Sequence, residues 1–423
     1  MKAKRILAFA LMVVLVIGCF ASCRTKDENA YVFSYKGKNV EIRTGLYMCF
    51  LIDAEVSFQN DAVAEAQKSS KKYDDYKDLK LDDKDYDTWV KDKAKSEAQK
   101  YAFAEIQFDR LGYTLSDQEQ QYIDAYAEQQ WYGSDNSQGI QEVYETNGIS
   151  LNTFKKYFAN VYYKQDSVYS YYVADASVEE ETTTAVTTTG KNGETETVAT
   201  TKKVDSELKN LKGSLRPADD KIVTALDKNF VLADVIEFGL TDSNGNAVDD
   251  DTKDGYMKLL KDYKKQLEKG TDFATVYATY QQQSGKSTDS SSSQSGKSNY
   301  EKIIKSADAN TATGNGDEAD ENFNDIYKMK VNDIKIFEND DCYKLVVRKN
   351  ILKDKNSSGT AYKDSYTDYA IRVLVEDKYD KDVVEKAIDE MKVDANNSAI
   401  KYYKPDKIDY LQDTTTATTA ANQ

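Results

Sequence analysis

Phe230-Val-Leu-Ala-Asp-Val-Ile-Glu-Phe-Gly-Leu240 is the stretch on which the fold turns. Its β-branched and apolar run, closed by Ser243-Asn-Gly-Asn246, predicts a largely buried strand. Met257, Leu259, Leu260, Tyr263 and Leu267 then recur at helical spacing, with Gly270 placed for a left-handed stop. Thr271-Asp-Phe-Ala-Thr-Val-Tyr-Ala-Thr-Tyr280 supplies an N-cap and a second, shorter helix. Beyond a Ser-rich interruption, Asn322 to Phe337 leads through Glu338-Asn-Asp-Asp341 into Cys342-Tyr-Lys-Leu-Val-Val-Arg348, which reads as a short helix and then a hairpin.

Around this stretch the composition sets limits. A chain of 423 residues with 40% hydrophobic content can bury two or three cores. Two prolines against 32 tyrosines favour long uninterrupted helices and surfaces apolar in body but wet at the tip. A net charge of −16 argues against nucleic acid, whose binding requires clustered Lys and Arg, and against electrostatic attachment to anionic lipid. No histidine is present, so histidine triads and imidazole metal sites are excluded.

Membrane attachment would therefore have to be covalent, and the N-terminus offers a means. Lys2, Lys4 and Arg5 precede an apolar run from Ile6 to Ile17, too short to span a bilayer but suited to a secretory signal. Val16-Ile-Gly-Cys19 and Phe20-Ala-Ser-Cys23 both resemble the bacterial lipobox, whose cysteine thiol takes diacylglycerol. Cys23 is the favoured acceptor, because a polar mature start, Arg24-Thr-Lys-Asp27, follows it; Cys19 is the alternative. The two chains of such a lipid would give the double signal that one chain lacks. Cys49 and Cys342 fit neither a disulfide framework nor a metal spacing and read as buried thiols, a bridge requiring their two regions to touch.

Along the chain, Val32-Phe-Ser-Tyr35 and Asn39-Val-Glu-Ile42 read as a hairpin, and Thr44 as the cap of an apolar helix. Residues 68–86, dense in Lys, Asp and Tyr, read as an exposed connection. A long helix follows from Asp87 to Leu111, stopped at Gly112, and Ser116-Asp-Gln-Glu119 is a capping box for the next. Ser150 caps a helix running to about Val173. The Thr-rich segment from Glu181 to Thr201 fits a projecting hairpin or a solvated linker equally. Tyr362 to Met391 reads as a helix and Ile400-Lys-Tyr-Tyr403 as a closing strand. The tail after Gln412 is Thr/Ala-rich.

The order of elements from 229 to 351, with Gly270-Thr-Asp-Phe-Ala274 at its centre, resembles the parvulin family of peptidyl-prolyl isomerases. The resemblance implies that Asp234 and Lys344 stand where the family carries a histidine pair on facing strands. It also matches Phe323 to the phenylalanine of the proline pocket, puts Ala319 where methionine is usual, and lacks the family's Gly-Asp-Leu-Gly turn. Arg110-Leu-Gly-Tyr-Thr-Leu-Ser-Asp-Gln-Glu119 and Asn147-Gly-Ile-Ser-Leu151, after an N-terminal hairpin, resemble the chaperone region of the SurA and PrsA extracytoplasmic foldases.

Together these readings imply an α+β protein. A mostly helical, discontinuous chaperone domain would carry an inserted parvulin-like domain. The expected divisions are a lipoprotein signal at 1–23, a helical domain at 24–178, a Thr-rich hairpin or linker at 179–226, the parvulin-like domain at 227–353 with a Ser-rich insert at 284–298, a returning helix and strand at 354–410, and a tail at 411–423. The candidate pocket residues are Asp234, Phe323, Tyr343 and Lys344.

Other chemistry finds no foothold. Gly285-Lys-Ser and Gly296-Lys-Ser lack the first glycine of a P-loop, and Asp249-Asp-Asp-Thr-Lys-Asp-Gly255 puts Lys253 or Lys261 where a calcium loop needs an oxygen ligand. No cofactor or metal is implied. The expected function is a lipid-anchored chaperone on the extracytoplasmic face of a bacterial membrane, gripping unfolded exported polypeptides in an aromatic-lined cleft, with the parvulin-like module catalytically inactive. The alternatives are a weakly active prolyl isomerase and a solute-binding or envelope-scaffold lipoprotein.

Overall fold

The structure, a computed structural model, describes residues 31–35, 40–69, 72–73, 75–134, 137–176, 184–189, 195–200, 208, 210–241, 247–284, 299–307, 309, 320–356 and 358–410. The expected signal segment with Cys19 and Cys23, the Ser-rich insert beyond Ser284, Ala319 and the tail from 411 lie outside them. The described chain is α+β, mostly helical with small antiparallel sheets. It divides into two compact units, Met1–Ser214 with Tyr379–Gln423, and Leu215–Lys378.

In the first unit β1 (Tyr31–Tyr35) pairs antiparallel with β2 (Val40–Arg43), and α1 (Thr44–Lys68) starts at once. The region expected as an exposed connection is partly built into the core. A 3-10 turn (Tyr76–Asp78) leads to β3 (Lys80–Leu81) and β4 (Lys84–Asp85), with Leu79 and Leu81 buried. Asp82 and Asp83 close this ladder at φ 52° and 61°, the left-handed pair that a tight hairpin requires. Two buried leucines among so many Lys and Asp residues left too faint a pattern to read.

Helix α2 (Tyr86–Arg110) is capped by Asp85, whose carboxylate accepts from the Thr88 amide. Ala94, Ala98 and Ala102 form a fully buried stripe of small side chains along it, which lets neighbouring helices approach closely. Helix α3 (Asp117–Tyr132) opens on the expected capping box: Ser116 Oγ accepts from the Glu119 amide while Glu119 Oε2 accepts from the Ser116 amide at 2.8 Å. A small ladder, β5 (Gly133–Ser134) with β6 (Ser137–Gln138), leads to α4 (Gln141–Thr146).

Ser150 caps α5 (Leu151–Ala159), which passes through a π turn (Asn160–Lys164) into α6 (Gln165–Val173). The buried Asn160 donates to the Tyr101 carbonyl at 3.1 Å and to Glu105 Oε1 at 2.9 Å, and Lys164 reaches the same carboxylate at 2.8 Å. Beyond them, β7 (Thr184–Thr189) and β8 (Thr195–Thr200) pair antiparallel, so the Thr-rich segment takes the hairpin form of its two readings.

The second unit begins with α7 (Asp219–Asn229), placed in a linker by the sequence reading, which runs directly into β9 (Phe230–Gly239). Then come α8 (Asp250–Glu268) and α9 (Phe273–Ser284), with Gly270 between them at φ 91°. β10 (Glu301–Lys305) is a strand the sequence did not announce, because only Ile303 and Ile304 in it are apolar. α10 (Phe323–Lys328), β11 (Ile334–Glu338) and β12 (Cys342–Arg348) complete the set. The sheet order is β10-β9-β12-β11, antiparallel throughout. Val231, Ala233 and Val346 pack with Phe323 and Ile326 of α10 on one face; Ile236, Phe238 and Leu345 pack with Leu260, Tyr263, Val276 and Tyr280 on the other.

α11 (Tyr362–Tyr379) buries Tyr362, Tyr366, Ala370 and Ile371, with the Tyr366 ring against Phe230. The return to the first unit therefore begins at Tyr379, whose ring packs on Tyr169 and Tyr172, and not at residue 354. After a π turn (Asp380–Glu385) and α12 (Lys386–Glu390), β13 (Val393–Ala395) pairs with β1 and gives the order β13-β1-β2. The closing strand is thus Val393–Ala395. Ile400-Lys-Tyr-Tyr403, expected as that strand, enters α13 (Asn397–Tyr402), because Asn396 accepts from the Ala399 amide and caps a helix there. No helix among the described residues is long and apolar enough to cross a membrane.

Candidate functional site

Successive side chains of a strand point to opposite faces, and this rule sorts the candidate residues. In the β9–β12 ladder Val235 faces Val346 and Glu237 faces Lys344, while Asp234 faces Val347. Val235, Glu237, Lys344 and Val346 therefore share the face covered by α10 and Phe323. Asp234 and Tyr343 lie on the reverse face, where Tyr343 packs beside Leu345. The structure brings Phe323 and Lys344 to one side and separates them from Asp234 and Tyr343, so the four do not form a single pocket. A displacement of one residue along a strand is enough to change the face.

On the Lys344 face the sheet floors a cleft of about 540 Å³. Val235, Ile304 and Val346 line it from that face, and Tyr277 and Tyr280 of α9, which pack on the opposite face, line it as well. Lys302, Asp320, Glu321 and Asp341 add charged side chains to its lining. Lys344 Nζ stands 3.0 Å from Asp320 Oδ2 and 3.6 Å from Glu237 Oε2. Burial alone would lower the lysine pKa, but the hydrogen bond to Asp320 and the charges of Asp320 and Glu237 outweigh it, and the net shift is upward. Lys344 thus stays a cation, clamped by two carboxylates. The Tyr280 hydroxyl donates to the Glu237 carbonyl at 2.6 Å, which fixes the aromatic wall to the sheet.

Asp234 is only 4% exposed, with its Oδ2 3.7 Å from Lys349 Nζ and its Oδ1 without a hydrogen-bond partner among the described residues. Burial pushes its carboxyl up to about 6; Lys349 pulls the other way, while Glu301 and Asp354 add to the rise. Cys49 and Cys342 are free, buried thiols, the latter pushed up to about 12 chiefly by burial. No group of three or more carboxylates and cysteines suited to a metal occurs among the described residues. Sequence reasoning missed Val235, Glu237 and Asp320. Strand parity links Val235 to Glu237 on β9, but only the register with β12 puts them beside Lys344.

The helical unit contributes a different surface. Tyr122, Tyr132 and Tyr162 are 53%, 60% and 59% exposed. The Tyr122 ring meets Tyr126 and Tyr163 at 4.6 and 6.4 Å, and Tyr162 packs on Phe158 at 4.4 Å. Such rings offer apolar contact without demanding a fixed sequence.

The sequence matches no family model and none of the curated proteins. Among solved structures the chain is similar, at 13% identity and a TM-score of 0.33, to the foldase protein PrsA from Lactococcus lactis, over 88% of this chain and 96% of that one. It is similar, at 15% identity and a TM-score of 0.31, to the foldase protein PrsA from Streptococcus pneumoniae, over 74% of this chain and 88% of that one.

Proposed function

We propose that the protein is a chaperone for unfolded, newly exported polypeptides, held by lipid on Cys23, or alternatively Cys19, at the extracytoplasmic face of a bacterial membrane. Its second unit is then a parvulin-like module that grips chain without catalysing prolyl isomerisation. The observation that carries this reading is the state of Lys344. Lining the cleft, in a chain without histidine, stands a lysine locked between Asp320 and Glu237. An ammonium paired to two carboxylates is a poor proton shuttle, whereas a cleft lined by both apolar and charged side chains suits a passing polypeptide. The exposed tyrosines of the helical unit support the same use.

Light scattering from a reduced, unfolded lysozyme preparation tests the proposal. Equimolar protein should suppress the aggregation, and an unchanged scattering trace would remove the chaperone reading.

A further inference from the structure

The last described residues of the chain lie across the helical unit in a way that resembles a bound peptide. After a 3-10 turn (Pro405–Lys407), Ile408 packs partly buried against the core of that unit. Asn147 then holds both backbone groups of Asp409: its Nδ2 donates to the Asp409 carbonyl at 2.8 Å, and its Oδ1 accepts from the Asp409 amide at 2.9 Å. This is how a strand partner would hold that residue, and it is blind to the side chain. The next residue, Tyr410, donates from its hydroxyl to Glu55 Oε2 at 3.0 Å.

Both partners are set by the body of the unit. Asn147 sits at the end of α4, where Nδ2 also donates to the Val143 carbonyl at 2.7 Å, so the amide is oriented by its own helix. Glu55 is 1% exposed, and its Oε1 is already held by the Tyr76 hydroxyl at 2.7 Å and by Lys77 at 3.5 Å. Oε1 is therefore committed to the body while Oε2 takes the Tyr410 hydroxyl, in a pocket where the Tyr86 hydroxyl also lies against the carboxylate. A buried carboxylate oxygen left without a donor is costly, so the site selects a hydrogen-bond donor there.

We propose that Asn147, Glu55, Tyr76 and Lys77 form a peptide-binding site for an extended segment of the pattern apolar residue, any residue, tyrosine, and that Ile408–Tyr410 occupies it as a built-in competitor. The site reads one backbone residue and one phenol, which is little specificity and suits unfolded polypeptide. In this respect it rests on, and deepens, the chaperone reading. An incoming chain must displace the strap, so the C-terminal segment sets the threshold for binding at this site.

The test uses a fluorescein-labelled peptide with the sequence of residues 404–412, titrated by fluorescence anisotropy. A chain ending at Lys407 should bind it about tenfold or more tighter than the full chain, the scale of a charge-assisted hydrogen bond. Tyr→Phe within the peptide, or Asn147→Ala in the shortened chain, should lose that gain. A full-length Asp409→Pro variant removes the amide that Asn147 accepts from and keeps the strap in covalent place; it should show the same gain and covers the case in which the shortened chain fails to fold. Equal affinity for the full chain, the shortened chain and Asp409→Pro overturns the proposal, as does binding indifferent to Asn147→Ala. Suppression of lysozyme aggregation by a chain that shows no such gain sinks this site and leaves the chaperone reading standing; the gain without suppression by any variant does the reverse.

Discussion

Asp234 and Lys344 stand on opposite faces of one sheet, although their strands are direct neighbours. Asp234 faces Val347 across the ladder, and Lys344 faces Glu237. The resemblance to parvulins implied that these two residues replace a facing pair of histidines, yet no proton or substrate atom can be shared through the sheet. Lining the cleft is an ion-paired lysine, and on the reverse face is a buried carboxylate. The consequences of each can be measured separately.

The carboxyl of Asp234 is raised from its usual value to about 6, chiefly by burial. A carboxyl whose pKa is higher folded than unfolded favours the folded state most below the unfolded value and loses that contribution as pH rises through about 6. The ionised form is thus a burden at neutral pH, on the order of 3 kcal/mol at 1.36 kcal/mol per pH unit. Asp234→Asn should stabilise the second unit relative to the parent at pH 7.5, and the advantage should shrink as pH falls from about 7 to 4. Denaturant titrations of both proteins across that range check it; a difference independent of pH would show that Asp234 titrates normally.

Lys344→Met removes the ammonium that Asp320 and Glu237 share. Asp320 is then left largely buried without its cation, keeping only the Asn322 amide on Oδ1, so the second unit should lose about 2 kcal/mol, below the range for fully buried pairs because the cleft is open. Hydrogen exchange at the Leu345 amide reads this locally. An exchange rate within twofold of the parent's would place the clamp among ion pairs of no energetic weight.

The capping box at Ser116 predicts a smaller effect in the other unit. Ser116→Ala leaves the Glu119 amide without its acceptor and should cost about 1 kcal/mol in the unfolding of the helical unit, while Ser116→Asp should restore most of it. Chemical denaturation followed by far-ultraviolet circular dichroism distinguishes these outcomes.

The anchor is tested in a bacterial host by metabolic labelling with palmitate. Label should be retained in Cys19→Ser and lost in Cys23→Ser; the opposite pattern would move the acylated residue to Cys19, and label retained in the double variant would end the anchoring proposal.

Much of the fold was legible because long helices announce themselves. The alanine stripe of α2 and the capping box of α3 are local signals, each decided within a few residues. The central strand β9 was equally plain, since nearly every position in its first half is buried. Short elements were not. β10 carries two apolar residues, β3 two residues in all, and Ile400 was read as strand although Asn396 sets a helix cap before it. β10 depends on a partner distant in sequence, as β13 does on β1, whereas β3 and the Asn396 cap are local but short. The site was half legible for a related reason. Composition excluded an imidazole mechanism outright, and the resemblance implied that the strands of Asp234 and Lys344 face each other, as β9 and β12 do, but only register decides which side chains share a face. Asp320 could not have been paired with Lys344 from the sequence at all, being 24 residues away in a loop.

We propose that the second unit grips polypeptide and does not turn over its prolyl bonds. The most direct test is the slow refolding phase of a small protein limited by trans-to-cis proline isomerisation, followed by fluorescence with and without this protein. The account predicts no acceleration at substoichiometric protein and a progressive slowing as the ratio approaches one to one. Acceleration of that phase by catalytic amounts would contradict it.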